Sequence, residues 1–278
     1  MAKIVVDSGC DISAEIVART GVPIEVVPLT LRLGEKTFTD NGTMDTELYL
    51  SEMESSPAAA QSASPSPKQF MDAYNGGESV FAVTLSSFLS SSNNNANLGK
   101  LLCMEETGAK FIHVFDSLSA SAGETLVALK IAEFIRQKIS DSEIIGRINH
   151  FIGNLKTYFI LEKYDIAVKT GRMDPHVAKI ASMLNIKPVC AGIGGKMVMI
   201  DKVRGQKRAV KRLIEIMAAE KADFGSRTLG ISHCQCFDAA DAIKREILKH
   251  IPFKDAFITD TSGLCSAYTG RGGIVAAF

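Results

Sequence analysis

Two adjoining stretches decide the fold: Val80-Phe-Ala-Val-Thr-Leu85, an apolar run of strand length, and Ser86-Ser-Phe-Leu-Ser-Ser-Ser-Asn-Asn-Asn-Ala96, the polar run that follows it. Leu98, Leu101 and Leu102 indicate that the polar run opens a helix. Similar strand-like runs, each ending in small or acidic residues, recur in the first half of the chain at residues 4–7, 25–33 and 111–116. Because helical stretches separate several of these runs, the pattern predicts βα units and a sheet of largely parallel strands.

Two helices are predicted from their starting sequences. Ser121-Ala-Gly-Glu124 has the spacing of a capping box, and the apolar residues after it fall four apart on one helix face. The second helix follows Ser140-Asp-Ser-Glu143 and is expected to end near Gly153. Residues 51–67 are rich in Ser, Ala and Pro, which predicts a long loop or mobile flap.

Polar residues follow several of the predicted strands. They are Asp7-Ser8, Ser86-Ser87 and Asp116-Ser117. Ligands of open α/β sheets bind beyond the carboxyl ends of the strands, so we expect these residues to line one rim of a binding site. Asp7 is expected to fix turns beneath that rim.

The pattern changes after about residue 155. Strand-like runs with fewer helices between them lie at residues 158–161, 189–193, 196–203, 229–233, 257–261 and 274–278. The Gly194-Gly195 turn predicts a hairpin, and the second half is therefore expected to be α+β with antiparallel pairing. Single cores stop growing near ~250 residues, and this chain has 278. We expect an α/β protein of two lobes, residues 1–155 and 156–278, with the ligand between them.

Composition excludes several classes of protein. With 46% hydrophobic residues the chain is globular, and 31 basic against 31 acidic residues give no net field that would attract nucleic acid. The start of the chain lacks the apolar segment of a signal peptide, and no apolar run reaches the ~18 residues of a membrane span. The six cysteines and five histidines show no metal-ligand spacing. We expect a cytoplasmic protein with no metal, no membrane span and no nucleic acid partner.

The polar run after Leu85 is a candidate anion site. Its hydroxyls and the first-turn amides of the following helix can together face a carboxylate or a phosphate. The same Ser and Asn residues are also common helix caps in ordinary polar loops, and the run alone does not separate the two interpretations.

Taken together, these motifs resemble the DegV family. The segments that match occur in the family's order and spacing across nearly the whole chain: Asp7-Ser8 with Asp11, Ser62-Ala-Ser-Pro-Ser-Pro67, Ser86-Ser-Phe-Leu-Ser90, Phe115-Asp-Ser117, Lys169-Thr-Gly-Arg-Met173, Leu184-Asn-Ile-Lys-Pro188, Lys202-Val-Arg-Gly205 and Tyr268-Thr-Gly-Arg-Gly-Gly273. The resemblance implies a two-lobe α/β protein that holds a long-chain fatty acid between its lobes. It also implies that the carboxylate is presented to a separate fatty acid kinase, which makes the acyl phosphate.

The resemblance also implies a set of site residues. Ser62 stands where the family usually has a Thr that contacts the carboxylate, and Ser90 where it has the Ser of a Ser-Gly-Thr turn. Arg172 matches a Gly-Arg position associated with the kinase and the phosphorylated headgroup. The expected carboxylate ligands are Ser62, Ser90 and the amides of Ser91 and Ser92, with support from Tyr268 and Thr269. The protein is then a carrier with no catalytic residue and no cofactor besides the bound fatty acid.

Three positions depart from the family pattern. Ser91 replaces a Gly, which would strain the turn if that position required a positive φ. Tyr268 replaces a His with a phenol that stays neutral near pH 7, and Arg271 adds a charge where a Pro is usual. We expect these changes to affect headgroup recognition.

Other functions remain open from the sequence. A hydrolase or transferase acting on a phosphorylated or acylated substrate at the same rim is one, although no serine there has an evident base. Arg172 is also explained by a surface ion pair with Asp174 or Glu162. The basic residues between 202 and 212 are most simply a solvated helix face, and otherwise a docking surface for an acidic partner or for DNA.

Overall fold

The computed structural model describes residues 2–107 and 110–278 and contains both strands and helices throughout its length. The strands are β1 Lys3–Asp7, β2 Ile24–Val27, β3 Thr30–Leu33, β4 Lys36–Thr39, β5 Gln61–Ala63, β6 Ser79–Thr84, β7 Phe111–Asp116, β8 Thr157–Ile160, β9 Ile186–Ile193, β10 Lys196–Arg204, β11 Thr228–His233, β12 Asp255–Asp260 and β13 Ile274–Ala277. The helices are α1 Ala14–Thr20, α2 Thr46–Ser55, α3 Pro67–Ala73, α4 Ser92–Thr107, α5 Ala122–Arg136, α6 Asp141–Asn154, α7 Asp165–Lys169, α8 Pro175–Ala181, α9 Gln206–Ala218, α10 Phe237–His250 and α11 Gly263–Thr269. The mixed α/β fold predicted from the sequence is confirmed.

The first half of the chain forms a parallel sheet in the order β2-β1-β6-β7. The stretch predicted as one strand, residues 25–33, is divided between two sheets, because β3 pairs instead with β4 and β5 in a small antiparallel sheet. Pro28 lies at the division, and a proline has no amide hydrogen to continue a strand ladder. The prediction of a single strand there is wrong.

The second half forms a mixed sheet in the order β10-β9-β8-β13-β11-β12. Its pairs are antiparallel except for β11 with β12, so the predicted antiparallel character is confirmed. The predicted hairpin joins β9 to β10, and Gly194 and Gly195 have φ values of 55° and 81°, which suit a tight hairpin turn. The division into lobes at residues 155 and 156 stays a prediction.

Apolar side chains on both sheets hold the helices in place. The parallel sheet packs Phe81 and Phe115 against Ile131 of α5 and Ile148 of α6, and all four are buried. In the mixed sheet the core includes Ile231, Leu213, Ile247 and Phe278. Helix α5 also reaches the mixed sheet, where Ala122 and Leu126 pack with Ala277. Removal of this apolar surface from water is the main driving force for docking the two sheets around one helix.

The start of α5 differs from its predicted form. The helix is confirmed, but the capping box is wrong: Ser121 has a φ of 61° and its side chain makes no cap hydrogen bond. Its hydroxyl donates instead to the Asp11 carboxylate, and Glu124 is fully buried. The Ser121 hydroxyl is therefore used in a contact with a distant loop instead of in a helix cap.

Residues 51–67 are more ordered than predicted. Helix α2, Thr46–Ser55, extends into the start of this stretch, and β5 pairs with β3 so that Ser62 lies opposite Leu31. The long-loop prediction is wrong for these parts, since burial of Tyr49 and Leu50 anchors α2. Within the described ranges, no helix combines the length and apolar character needed to cross a bilayer.

Candidate ligand-binding cavity

A cavity of about 360 Å³ lies where loops of the parallel sheet meet the inner face of the mixed sheet. Its apolar lining comes from both halves of the chain and consists mainly of Leu29, Leu85, Leu89, Leu118, Phe159, Leu161, Met197, Leu264 and Val275. Among the described residues, the charged side chains on its wall are Arg172 and Lys196, with no Asp, Glu or His. The cavity therefore combines an apolar interior with positive charge, a combination that suits an apolar molecule with an anionic end.

Strand β8 forms one wall. Successive side chains of a strand point to opposite faces, and Thr157, Phe159 and Leu161 line the cavity while Tyr158 and Ile160 pack in the core on the other side. On the neighbouring strand β13, Val275 lies opposite Phe159 and also lines the cavity. One face of the mixed sheet therefore lines the cavity, and the opposite face packs in the core.

Most of the residues predicted from the sequence meet at this cavity. Its wall includes Ser62, Ser90, Ser91, Arg172, Tyr268 and Thr269. They come from separate elements: β5, the loop before α4, the turn after α7, and the end of α11. Tyr268 packs against the apolar clusters on both sides, one around Phe159 and one around Leu29. The structure thus brings these residues together, and their roles stay predictions.

The hydroxyls at this end are linked to one another and to the backbone. Ser90 Oγ accepts a hydrogen bond from the Ser92 amide at 3.2 Å, and Ser91 Oγ lies 2.7 Å from Ser64 Oγ. Thr269 Oγ1 donates to the Cys265 carbonyl at 2.7 Å. These bonds fix the positions of the hydroxyl oxygens on the wall.

Ser92 does not lie on the cavity wall. Its side chain is fully buried and its hydroxyl donates to the Asp7 carboxylate, while its amide is bonded to Ser90 as described above. The Ser92 side chain therefore lies behind the cavity wall. A carboxylate is a strong hydrogen-bond acceptor, so the Ser92 hydroxyl is bound to Asp7 and does not point into the cavity. Ser91 has a negative φ, so replacing glycine there causes no backbone strain.

Arg172 is held by carbonyl groups. Its Nε donates to the Leu89 carbonyl and its Nη1 to the Thr170 carbonyl, each at 2.9 Å. The carboxylates proposed as surface partners are used elsewhere: Glu162 pairs with Lys187 at 2.5 Å, and Asp174 caps the next helix by accepting from the His176 amide. The ion-pair interpretation of Arg172 is therefore wrong.

Arg271 also differs from expectation. Its guanidinium pairs with Glu47 at 2.7 Å and with Glu54 at 3.3 Å, both on α2. The residue is absent from the described cavity lining, so its charge ties the C-terminal turn to α2. It does not add charge to the headgroup site expected from the sequence.

Lys196 is a cavity residue that the sequence did not single out. It follows the Gly194-Gly195 turn, and its Nζ lies 5.0 Å from the centroid of the Phe88 ring. The turn is held against the first half by a 2.7 Å hydrogen bond from Ser86 Oγ to the Gly195 carbonyl. A Cβ at Gly195 would lie 2.6 Å from that same hydroxyl, so only glycine permits this approach. No local pattern around Lys196 signals the contact.

Four of the six residues predicted to line a rim lie beneath the cavity, whereas Ser87 is exposed and Asp116 is half-buried. Asp7, Ser8, Ser86 and Ser117 are buried. Asp7 accepts from the amides of Gly9 at 2.8 Å and Leu85 at 3.1 Å, which confirms its predicted use in fixing turns. They support the wall instead of forming it.

Two further buried carboxylates join these loops to α11. Asp11 accepts from the Ser262 amide at 2.7 Å. Asp40 accepts from the amides of Gly263 and Leu264 at 2.9 and 2.8 Å. Carboxylates that accept backbone amides in this way hold separate segments in a fixed arrangement. The floor of the cavity is therefore rigidly connected across both halves of the chain.

Glu124 completes a group of buried acids under the cavity. Burial raises the pKa of Asp7 to about 6, opposed by its hydrogen bonds with Ser92, Gly9 and Leu85. Burial also raises the pKa of Glu124 well above its ordinary value, and the nearby charges of Asp7 and Asp11 raise it further. Glu124 is thus the neutral acid of the group, and neither of its carboxyl oxygens has a hydrogen-bond partner among the described contacts.

The described residues contain no metal-binding group and no disulfide bond. In residues 2–107 and 110–278, no group of three or more His, Cys, Asp or Glu side chains is arranged to hold a metal ion. None of the six cysteines, all of which lie in the described ranges, forms a disulfide bond.

Comparison with known proteins gives matches over the full length. A family model described as "Uncharacterised protein, DegV family" matches residues 1–278. A DegV domain-containing protein of Streptococcus pyogenes serotype M1 is 35% identical over 279 residues, covering 99% of this chain and 98% of that protein.

Solved structures match equally completely. A DegV family protein from Ruminococcus gnavus, refined with vaccenic acid, has 34% identity and a TM-score of 0.94, covering 100% of this chain and 99% of that one. The Fatty Acid Kinase (Fak) B3 protein of Streptococcus pneumoniae, loaded with linoleic acid, has 30% identity and a TM-score of 0.91 with the same coverage.

Proposed function

The chain belongs to the DegV family, and from this premise we propose that it binds a long-chain fatty acid in the cavity and presents the carboxylate to a separate fatty acid kinase. The kinase forms the acyl phosphate, and this chain supplies the bound acid. Similarity to two structures that contain long-chain fatty acids supports the first part of the proposal. Similarity to a protein named for a fatty acid kinase supports the second.

One observation carries the proposal: an apolar cavity of about 360 Å³ whose charged lining residues, within the described chain, are two cations. An isolated carboxylate is very costly to bury, but hydroxyls, amides and a guanidinium can replace its water through charge-assisted hydrogen bonds. The hydroxyls of Ser62, Ser90 and Ser91 lie on the same wall as Arg172. These groups form the carboxylate end of the site.

The acyl chain provides most of the affinity. Each buried methylene contributes roughly 0.8 kcal/mol, so a chain of about sixteen carbons offers on the order of 12 kcal/mol before the costs of ordering are subtracted. The leucines, Phe159 and Val275 that line the cavity supply the apolar contact. The tail accordingly sets affinity, and the head sets orientation.

Each residue at the carboxylate end has a proposed task. Ser62 and Ser90 donate hydroxyl hydrogen bonds to the carboxylate, and the Ser91 amide adds a third donor. Tyr268 and Thr269 close the site from α11. Arg172 contacts the phosphorylated headgroup or the kinase, since the geometry of a guanidinium matches paired phosphate oxygens. Its hydrogen bonds to the Leu89 and Thr170 carbonyls fix the guanidinium in one position.

The enzyme alternative finds no supporting contact. A serine nucleophile needs an adjacent base, and the described cavity lining has neither histidine nor carboxylate. No covalent step is assigned to this chain, and acyl phosphate formation belongs to the kinase.

A double variant tests the proposal. Replacing Ser62 and Ser90 together by Ala is expected to weaken fatty acid binding roughly thirtyfold, about 2 kcal/mol, because two hydrogen bonds to a charged group are lost and water partly replaces them. Affinity is measured by exchange of radiolabelled octadecanoic acid. ATP-dependent acyl phosphate formation with a DegV-partner kinase is trapped as the hydroxamate, and it should fall in parallel at limiting fatty acid.

Ser87→Ala is the matched control, since Ser87 is exposed in the same loop and does not line the cavity. Unchanged affinity in the double variant would contradict the headgroup assignment. Binding without any acyl phosphate, with a kinase active on another carrier, would contradict the presentation step alone.

A further inference from the structure

Three large apolar side chains near the cavity are exposed. Phe88 and Ile193 are each 54% exposed, and Leu118 is 37% exposed. We call these three side chains the apolar patch. None of them belongs to an apolar core cluster of the described residues. The fold therefore does not depend on burying them.

The members of the apolar patch come from separate segments that meet at one hairpin turn. A Cβ at Gly195 would lie 2.7 Å from Phe88 Cδ2 and 3.2 Å from Leu118 Cδ2, so both side chains reach this turn. Ile193 pairs with Lys196 across the same hairpin, and directly opposite residues of an antiparallel pair lie on one face. Lys196 Nζ in turn lies 5.0 Å from the centroid of the Phe88 ring. The three side chains therefore lie around one turn, with a cation among them.

The apolar patch borders the carboxylate end of the proposed ligand site. Phe88 is two residues from Ser90, which lines the cavity, and the Leu89 carbonyl between them accepts from Arg172 Nε. Leu118 itself lines the cavity. Phosphoryl transfer requires the reacting atoms to approach within about 3–3.5 Å, and a stable interface buries about 800 Å² on each partner. A kinase that reaches a carboxylate at Ser90 therefore also covers Phe88.

The charge beside the apolar patch favours a kinase over a second copy of this chain. Within the described part of the chain, Lys196 and Arg172 have no carboxylate partner. A two-fold dimer uses the same surface on both subunits, so it would bring these cations toward their own copies. A kinase instead brings nucleotide phosphates, whose negative charge the cations complement.

We propose that the apolar patch is the docking surface for the fatty acid kinase, with Phe88 as its central anchor. An aromatic side chain buried at the centre of an interface commonly contributes much of the binding energy. Ile193 and Leu118 extend the apolar contact on either side of the turn. The inference rests on the proposed function and adds the surface by which the partner is recognised.

Kinetics at varied concentrations of this protein test the inference directly. A fatty acid kinase from Streptococcus pneumoniae is supplied with ATP and with the protein loaded with octadecanoic acid, and acyl phosphate is trapped as the hydroxamate. Phe88→Ser should raise the protein concentration at half-maximal rate about thirtyfold, and Ile193→Ser about fivefold, as expected for a central and a flanking contact. The maximal rate and the affinity for octadecanoic acid should not change, since neither residue lines the described cavity.

Leu184→Ser is the matched control, since Leu184 is 86% exposed and lies near the opposite end of β9 from Ile193. Half-maximal concentrations that stay unchanged in both patch variants would overturn the inference while the presentation step stands. A parallel loss of octadecanoic acid affinity in Phe88→Ser would also overturn it, because the effect would then lie in the cavity.

Two other occupants of the apolar patch would give different results. A wild-type dimer that Phe88→Ser converts to a monomer in sedimentation velocity, with unchanged kinetics, would assign the patch to a second copy. Binding to phosphatidylglycerol vesicles that Phe88→Ser abolishes, again with unchanged kinetics, would assign it to a membrane surface. Either result would overturn the inference. No acyl phosphate from the wild type, with Fak B3 as the working positive control, would overturn the presentation step and the inference with it.

Discussion

Replacing Gly192 by Leu is expected to weaken octadecanoic acid binding on the order of 100-fold while leaving the fold intact. Gly192 lies on β9 and lines the cavity. A Cβ there would meet Thr157 Cβ at 3.5 Å, an ordinary contact, and its φ is not positive, so the backbone accepts a side chain. The leucine carbons then occupy space that three or four ligand methylenes would fill. At roughly 0.8 kcal/mol each, their loss comes to about 3 kcal/mol.

Chain length provides the internal check on this variant. Decanoic acid ends nearer the carboxylate site and should lose much less affinity than octadecanoic acid. Gly146→Leu serves as control, because Gly146 is exposed on α6 with open space around its Cβ position. Equal losses for both acids, or full affinity for octadecanoic acid in Gly192→Leu, would show that the acyl chain does not run past Gly192.

Replacing Glu124 by Gln is expected to make the protein progressively more stable than the wild type as the pH rises above about 4.5. Burial raises the pKa of Glu124, so the folded state keeps a proton that the unfolded state releases above the ordinary glutamate pKa. A group with a raised folded pKa contributes stability at low pH and loses it as the pH rises toward that pKa. The wild type therefore loses about 1.4 kcal/mol per pH unit relative to Glu124→Gln. The glutamine amide does not titrate, so the variant lacks this pH dependence.

Urea unfolding at a series of pH values measures this difference. The gap between the two proteins should widen with each step in pH above 4.5, up to the raised pKa of Glu124 in the folded state. Taking the difference cancels the titration of Asp7, Asp11 and the histidines to first order. Glu105→Gln, at an exposed site on α4, is the matched control for removal of a carboxyl group. A gap that does not change with pH for Glu124→Gln would contradict the assignment of a buried neutral acid.

The local patterns of the sequence were sufficient to predict much of the architecture. The runs at residues 80–85 and 111–116 predicted parallel strands, which pair in the structure as β6 and β7, and Gly194-Gly195 predicted the hairpin. These features depend on side-chain period and on turn residues within a few positions of one another. The full-length family resemblance, confirmed by the match over residues 1–278, came from several short motifs in a fixed order.

Contacts between segments that are far apart in the sequence could not be predicted from local patterns. Ser121 matched a capping box, yet its hydroxyl bonds Asp11, and Ser92 was expected at the ligand although its hydroxyl bonds Asp7. Arg271 was expected at the headgroup and pairs with Glu47. In each case a charged partner far along the chain competes more strongly than the local one.

Two residues of the cavity wall could not be predicted from local patterns for the same reason. Lys196 reaches it because the hairpin docks on Ser86, and Thr157 faces Ser119 because two sheets meet. Neither residue belongs to a recognisable motif. Their positions depend on how the halves of the chain pack, which side-chain period alone does not determine.

The most direct test of the central claim is mass spectrometry of an organic extract of the purified protein, prepared without added lipid. Filling of the apolar cavity by a fatty acid during expression predicts close to one equivalent of long-chain fatty acid per chain, and much less from Gly192→Leu. An extract without fatty acid, from folded protein that also fails to take up octadecanoic acid, would contradict the account.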